Sequence, residues 1–174
     1  MDFRRKDRFV AGGHTTNLPV ESTYAGVVSR EIVFVGFTLA ALNDLDVFAA
    51  DIQNAYITSP CGEKIIFTCG PEFGSEHKGK TVVVFRALYS LRSSGSAFRN
   101  HLASCMEALK YLPFRADPDV WMRKARKYYG TEYYKYMLLY VDDCLAITET
   151  PMGAVLQLDK FFKMQPNSIA HPDI

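Results

Sequence analysis

The chain has 174 residues, 48% of them hydrophobic and 22% charged, a composition able to bury a core and unlike that of a disordered tail. With 20 Lys and Arg against 19 Asp and Glu the formal net charge is +1. No global field then draws in nucleic acid, which counts against a stand-alone binder held by phosphate neutralisation. The longest apolar stretch, 32–42, falls short of the roughly 20 residues a membrane span needs, and no signal peptide opens the chain. The four cysteines, Cys61, Cys69, Cys105 and Cys144, have neither CxxC nor zinc spacing. The expectation is one soluble, intracellular unit with buried free thiols and no membrane partner.

In chain order, 6–11 predicts a strand and 12–24 a loop with Gly12-Gly13 and Pro19. Residues 30–42 are apolar nearly all round. The Ile32-Val33-Phe34-Val35 part has strand propensity, but the length and the Leu39-Ala40-Ala41-Leu42-Asn43 ending favour a buried helix closed by Asn43. Residues 45–51 read as a short apolar strand ending at Asp51 and turning into a helical start. Strands at 63–69 and 81–86 flank a Gly/Pro-rich connection, 70–79. From 97 to 112, Ala97, Phe98, His101, Leu102, Cys105, Met106, Leu109 and Leu112 form one apolar helix face, with Ser93 or Ser94 as the cap. His101 lies on that face and reads as a core histidine. Strands at 120–124 and 133–141 follow, and 152–164 predicts a last amphipathic helix. The order suits an α+β layer: antiparallel strands covered by helices on one face.

The chemistry concentrates in two places. Residues 138–147 are a strand-forming run interrupted by Asp142-Asp143, as expected of two strands joined by a tight turn, since Asp tolerates the positive φ such turns need. A rigid turn carrying carboxylates is a natural half of a Mg²⁺ site, because that ion takes one or two carboxylates and completes its shell with phosphates. An ordinary exposed turn is the alternative. Asp51, at the carboxyl end of its strand, could converge on the same ions, in the arrangement of two metals about 3.5–4 Å apart used for phosphoryl transfer. Asp51 could equally cap the following turn, and the two roles can coexist. Arg4-Arg5-Lys6 with Arg8, and Arg123-Lys124 with Arg126-Lys127 before Tyr128-Tyr129, could track a phosphate backbone with tyrosines for stacking, or be solvated strand edges.

These segments carry a resemblance. Asp51 with an aromatic, Tyr56, five residues on, then Ala87-Leu88-Tyr89-Ser90-Leu91-Arg92, Ala97-Phe98 and Tyr140-Val141-Asp142-Asp143 stand in the order and rough spacing of a known family. Lys6-Asp7-Arg8-Phe9-Val10-Ala11 and Ala116-Asp117-Pro118-Asp119-Val120-Trp121 match it too. Over nearly its whole length the chain resembles the reverse transcriptase of copia-type LTR retrotransposons. The resemblance implies a polymerase palm with partial fingers and no thumb: fingers-like 1–45 and about 60–90, palm 46–59 and 91–174.

It further implies an RNA-dependent DNA polymerase. Asp51 and Asp142 correspond to the metal-ligating pair and Asp143 to the supporting acid, around two Mg²⁺ ions for which Mn²⁺ can substitute. Tyr56 falls under the incoming sugar, Lys6 and Arg8 on the triphosphate, and Arg92, Ser93 and Gly95 at a helix start beside the nucleotide. The implied partners are an RNA or DNA template with its primer, deoxynucleoside triphosphates, and the thumb and ribonuclease H segments of a polyprotein. The implied location is an intracellular, cytoplasmic retrotransposon particle. The family carries Gly, Lys, Gln, Ala and Pro where this chain has Ser90, Arg92, Ser93, Ser94 and Gly95, and Trp in place of Phe98. Loss of the Gln removes an amide that would lie against the nucleotide. Two other readings stand beside the first. One is a catalytically incomplete remnant that only binds nucleic acid or protein, and the other is a different palm-fold nucleotidyl transferase, which the acids alone permit.

Overall fold

The computed structural model describes residues 10–14, 16–19, 22–166 and 168–172. Its first helix, α1, is Arg30–Leu42. Ser29 Oγ accepts the Ile32 N–H at 3.3 Å to open it, and the Asn43 backbone and side-chain amides return to Leu39 O at 3.1 and 2.8 Å to close it. Its ends are where the sequence predicts them, but its burial differs. Only Gly36 and Ala40 are fully buried, while Phe34 and Val35 are 55% and 52% exposed. A helix laid on one face of a sheet buries one stripe, however apolar its other side.

Strand β1 (Asp46–Asp51) follows, then a 3-10 turn, Ala55–Thr58. Strands β2 (Ile66–Thr68) and β3 (Thr81–Val83) are shorter than predicted and pair antiparallel. Helix α2 is Ser94–Ala108 and strand β4 is Leu112–Pro113. Leu112, predicted to end the helix, is therefore in a strand. Lys110, at φ 64°, takes the left-handed conformation that ends helices, and the Tyr111 N–H bonds back to Met106 O at 2.9 Å. The chain continues through β5 (Val120–Arg126), β6 (Glu132–Tyr140), β7 (Asp143–Thr148) and α3 (Pro151–Leu158). That last helix stops short of its predicted end. Phe162 and Met164 are nonetheless buried, carried inward by an irregular turn in which Asp159 Oδ1 accepts the Met164 N–H at 3.1 Å. Among the described residues no helix is long and apolar enough to cross a membrane.

The chain divides into two compact units. One takes the described residues up to Tyr24 with Tyr56–Phe98, the other Ala25–Ala55 with Arg99 onward. Helix α1, which the resemblance places with the fingers, belongs to the second.

The second unit is built on a five-stranded antiparallel sheet in the order β1-β7-β6-β5-β4. Side chains alternate along strands, so the register sorts them into two faces. Val47, Ala49 and Asp51 share a face with Leu145, Ile147 and Asp143 of β7 and with Leu138 and Tyr140 of β6. Helix α1 covers part of this face: a Cβ on Gly36 would stand 2.9 Å from Ile147 Cδ1 and 3.2 Å from Leu138 Cδ2. The opposite face carries Cys144, Ala146, Met137, Trp121 and Arg123. There Arg123 donates to Leu109 O, beyond the end of α2, at 2.6 Å and to Gln157 of α3 at 3.2 Å. Helices thus cover both faces, correcting the expectation of one covered face. The physical reason is that both sets of strand side chains are apolar: Ile147 on one face and Ala146 on the other are each 0% exposed.

In the first unit, Val10 pairs in parallel with Tyr89, and the Ala11 N–H donates to Tyr89 O at 3.0 Å. Of the expected strand at 6–11, only Val10 and Ala11 fall among the described residues. Gly13 passes so close that a Cβ there would meet Ser90 O at 1.8 Å, and Gly13 O accepts from Thr16 Oγ1 at 3.0 Å and Arg92 Nε at 3.2 Å. Ser90 itself sits at φ 72°, a conformation natural to glycine and costly for residues with a Cβ. Ser90→Gly should therefore raise stability by about 0.5–1 kcal/mol, the relief of left-handed strain less the entropy glycine adds to the unfolded chain. Thermal melting reads this directly, and a lower Tm for the glycine variant would contradict it.

Candidate active site

The β6–β7 connection is a two-residue turn, Val141-Asp142, between paired Tyr140 and Asp143. Positive φ falls on Val141 (55°), the first turn position, and not on an aspartate as the sequence suggested. Such turns favour glycine at that position, and a β-branched residue held there stores about 1–3 kcal/mol of strain. Asp142 O accepts the Ile52 N–H at 2.8 Å, which pins the turn to the end of β1. The register then sets Asp51 directly across from Asp143. Directly opposed residues of an antiparallel pair project to the same face with Cβ atoms about 4.5–5.5 Å apart. Asp51 and Asp142 are half-buried and Asp143 is more open. The next residue, Cys144, is buried, and its thiol is pushed up to about 12 by burial first and then by the charges of Asp143 and Asp51, so it is an inert core thiol.

The three acids gathered at this sheet end repel one another. The Asp143 carboxyl is raised above its usual value by partial desolvation first, then by the charge of Asp142 and that of Asp51. Among the described residues no group of three or more His, Cys, Asp or Glu forms a ready-made metal cage. The donor chemistry nevertheless fits a hard divalent cation: oxygen ligands only, mutually repelling, with a shell left to water and phosphate oxygens. Asp51 and Asp142 would hold such an ion, with Asp143 beside them.

Lys6 and Arg8 fall outside the described residues. Tyr56, Arg92, Ser93 and Gly95 belong to the first unit. Tyr56 is half-buried, its ring edge-on to Tyr89 at 4.9 Å and to Phe98 at 6.2 Å between centroids. Arg92 is exposed, with its Nε on Gly13 O. Ser93 is 3% exposed; its N–H donates to Glu63 Oε1 at 3.1 Å and its hydroxyl donates to the same oxygen. Ser93 thereby holds the start of α2 to Glu63 and does not cap the helix with its own oxygen. Gly95 is half-buried in the first turn of α2. His101 is half-buried, its ring edge-on to Phe162 at 5.0 Å, as a core histidine should be.

The basic run before Tyr128-Tyr129 is largely engaged within the protein. Arg123 lies over the Tyr111 ring at 4.6 Å, Arg126 bonds Glu132 at 3.0 Å, and Lys127 Nζ donates to Asn43 O and to Asp44 O. That corrects the picture of a free phosphate track. Composition could not show it, because each partner comes from a different element or a backbone carbonyl. Glu63 was not anticipated either; no local pattern marks it.

Fold and site together define a mixed helix-and-sheet protein whose antiparallel sheet carries an acidic site at one end. The model of the reverse transcriptase (RNA-dependent DNA polymerase) family matches residues 1–168, and the chain belongs to that family. No curated protein matches it. Proteins of this family work on a nucleic-acid template with deoxynucleoside triphosphates and divalent metal ions.

Proposed function

We propose that this chain is the palm and part of the fingers of a copia-type retrotransposon reverse transcriptase, adding deoxynucleotides to a primer 3′-end on an RNA or DNA template. The observation that carries the reading is the convergence of Asp51, Asp142 and Asp143 on one end of the sheet. Divalent cations, Mg²⁺ or in its place Mn²⁺, bound there in a pair would lower the pKa of the primer hydroxyl and neutralise charge on the leaving pyrophosphate. Asp51, from a strand end, and Asp142, from a pinned turn, hold their carboxylates without reorganising, and Asp143 supports them. The resemblance assigns Tyr56 to the incoming sugar, where a ring would exclude a 2′-hydroxyl by volume, Lys6 and Arg8 to the triphosphate, and Arg92, Ser93 and Gly95 to the nucleotide.

Primer extension by the chain on RNA and DNA templates tests this, with Asp142→Asn alongside. Extension by the wild type and its loss in the variant, by about 10³-fold for some 4 kcal/mol of lost charge stabilisation, is the expected result. Full activity in the variant removes Asp142 from the machinery.

A second reading, a binding module without catalysis, is favoured by the Ser93–Glu63 contact at the helix start, which engages a residue the nucleotide would need. On that reading the chain retains RNA on a filter across a salt series, Asp142→Asn binds equally well, and neither extends a primer.

A further inference from the structure

We propose that Ser168 is a positioning residue for Asp51, setting the direction of that carboxylate from the far end of the chain. The inference rests on Asp51 being a metal ligand, as proposed above, and adds what holds it in place.

Strand β1 is an edge strand of its sheet, with β7 on one side only. On the other side, the segment after α3 returns along it. Ala49 pairs with Ala170, the two exchanging N–H···O bonds of 2.8 and 3.1 Å, and Ile52 pairs with Met164. Between these pairs, where Asp51 lies, three hydrogen bonds close a ring. The Asp51 N–H donates to Ser168 Oγ at 3.0 Å, the Ser168 hydroxyl donates to Gln165 O at 2.9 Å, and the Gln165 N–H donates to Asp51 O at 2.8 Å. The Ser168 N–H also donates to Gln165 O, at 3.1 Å, so the hydroxyl is held by its own turn.

The consequence is geometric. Both backbone polar groups of Asp51 on the edge side are bound, one by a side chain and one by a peptide, while β7 holds the residue from the other side. With the peptide fixed on both edges, the Cα–Cβ direction of Asp51 is fixed too, and its carboxylate faces Asp143 and the Asp142 turn. An alanine at 168 leaves the Asp51 N–H facing the turn without that acceptor and breaks the ring, although the flanking pairs at Ala49 and Ile52 keep the segment in place. Groups that orient a metal ligand matter to affinity and rate as the ligands do, typically about 10–100-fold when removed. Ser168 touches neither substrate nor the reacting atoms and acts only through Asp51.

The test uses the whole chain as wild type, Ser168→Ala and Ser168→Thr, the last retaining an oxygen on Cβ. Three readouts are taken: Mn²⁺ affinity from the electron paramagnetic resonance of free ion, primer-extension kinetics, and hydrogen exchange at the Asp51 amide. Ser168→Ala should exchange faster at Asp51, bind Mn²⁺ about 10-fold more weakly and lose kcat by a similar factor with KM for primer-template unchanged, whereas Ser168→Thr should stay close to wild type in all three. Wild-type Mn²⁺ affinity in Ser168→Ala overturns the proposal, as does equal impairment of the alanine and threonine variants, which would mean a packing role. Binding by the wild type that ignores Asp51→Asn overturns the ligand reading itself, and the positioning role with it.

Discussion

Asp51→Asn should silence primer extension by about 10³-fold or more, the worth of some 4 kcal/mol of metal-assisted charge stabilisation, and should at the same time make the protein harder to melt at pH 7. The second half follows from the repulsion at the sheet end. Asp143 titrates above its usual value, first because it is partly desolvated and then because Asp142 and Asp51 bear negative charge nearby. A carboxyl whose folded-state pKa is raised binds more protons folded than unfolded over the window between the two values. Stability therefore falls as pH rises through that window, and the full cost stands at pH 7. Removing the Asp51 charge removes part of that cost. The Tm advantage of Asp51→Asn should shrink as pH falls through the carboxylate range, and added Mg²⁺ should raise the wild-type Tm more than the variant's. A variant that melts below wild type at pH 7, or that still extends primers, contradicts the account. Loss of function paired with gain of stability marks a site kept under strain for its chemistry.

Arg99→Met should destabilise the second unit by about 3–5 kcal/mol, among the largest single-residue effects expected in this fold. Arg99, on α2, places Nε and a terminal guanidinium nitrogen each 2.8 Å from Asp119 Oδ1, and Asp119 is only 5% exposed. Burial raises the Asp119 carboxyl more than the charge and hydrogen bond of Arg99 lower it, with Asp117 adding to the rise. Without Arg99 the carboxylate is left buried and uncompensated, and its pKa climbs further. By the same linkage the variant's deficit is largest at pH 7 and narrows on acidification as Asp119 takes up a proton. For a chain of this size the shift in Tm should be about 10 °C. Arg99→Met with Asp119→Leu should recover most of it, since an apolar pair tolerates burial; a double variant as unstable as the single one would remove the ion pair from the explanation.

That pair also explains the stretch Ala116-Asp117-Pro118-Asp119-Val120-Trp121, which in the sequence is only a linker with two acids. Asp117 Oδ1 accepts the Asp119 N–H at 3.0 Å, and Asp119 O accepts the Leu139 N–H at 3.0 Å. The segment thereby ties α2 to the strand feeding the acidic turn. Its partners lie 20 residues away in each direction along the chain, and no periodicity points to them.

What the sequence determined by itself was local. Asn43 marks the end of α1 because capping is a contact between near neighbours. The β-branched and aromatic run broken by Asp142-Asp143 marks a hairpin, and the apolar strand ending at Asp51 marks a second acid at a strand end, because alternation and turn chemistry act over a few residues. Tertiary structure alone decided the rest. It set Asp51 opposite Asp143, gave the left-handed turn position to Val141, buried both faces of the sheet, tied the basic run to Asn43, Glu132 and Gln157, and brought Ser168 to the Asp51 amide across 117 residues of chain. Apart from the Val141 turn and the Arg126–Glu132 pair, only six residues apart, these are pairings between distant segments, and a hydroxyl or guanidinium with unused hydrogen-bonding capacity reads the same in sequence whichever partner the folded chain brings to it.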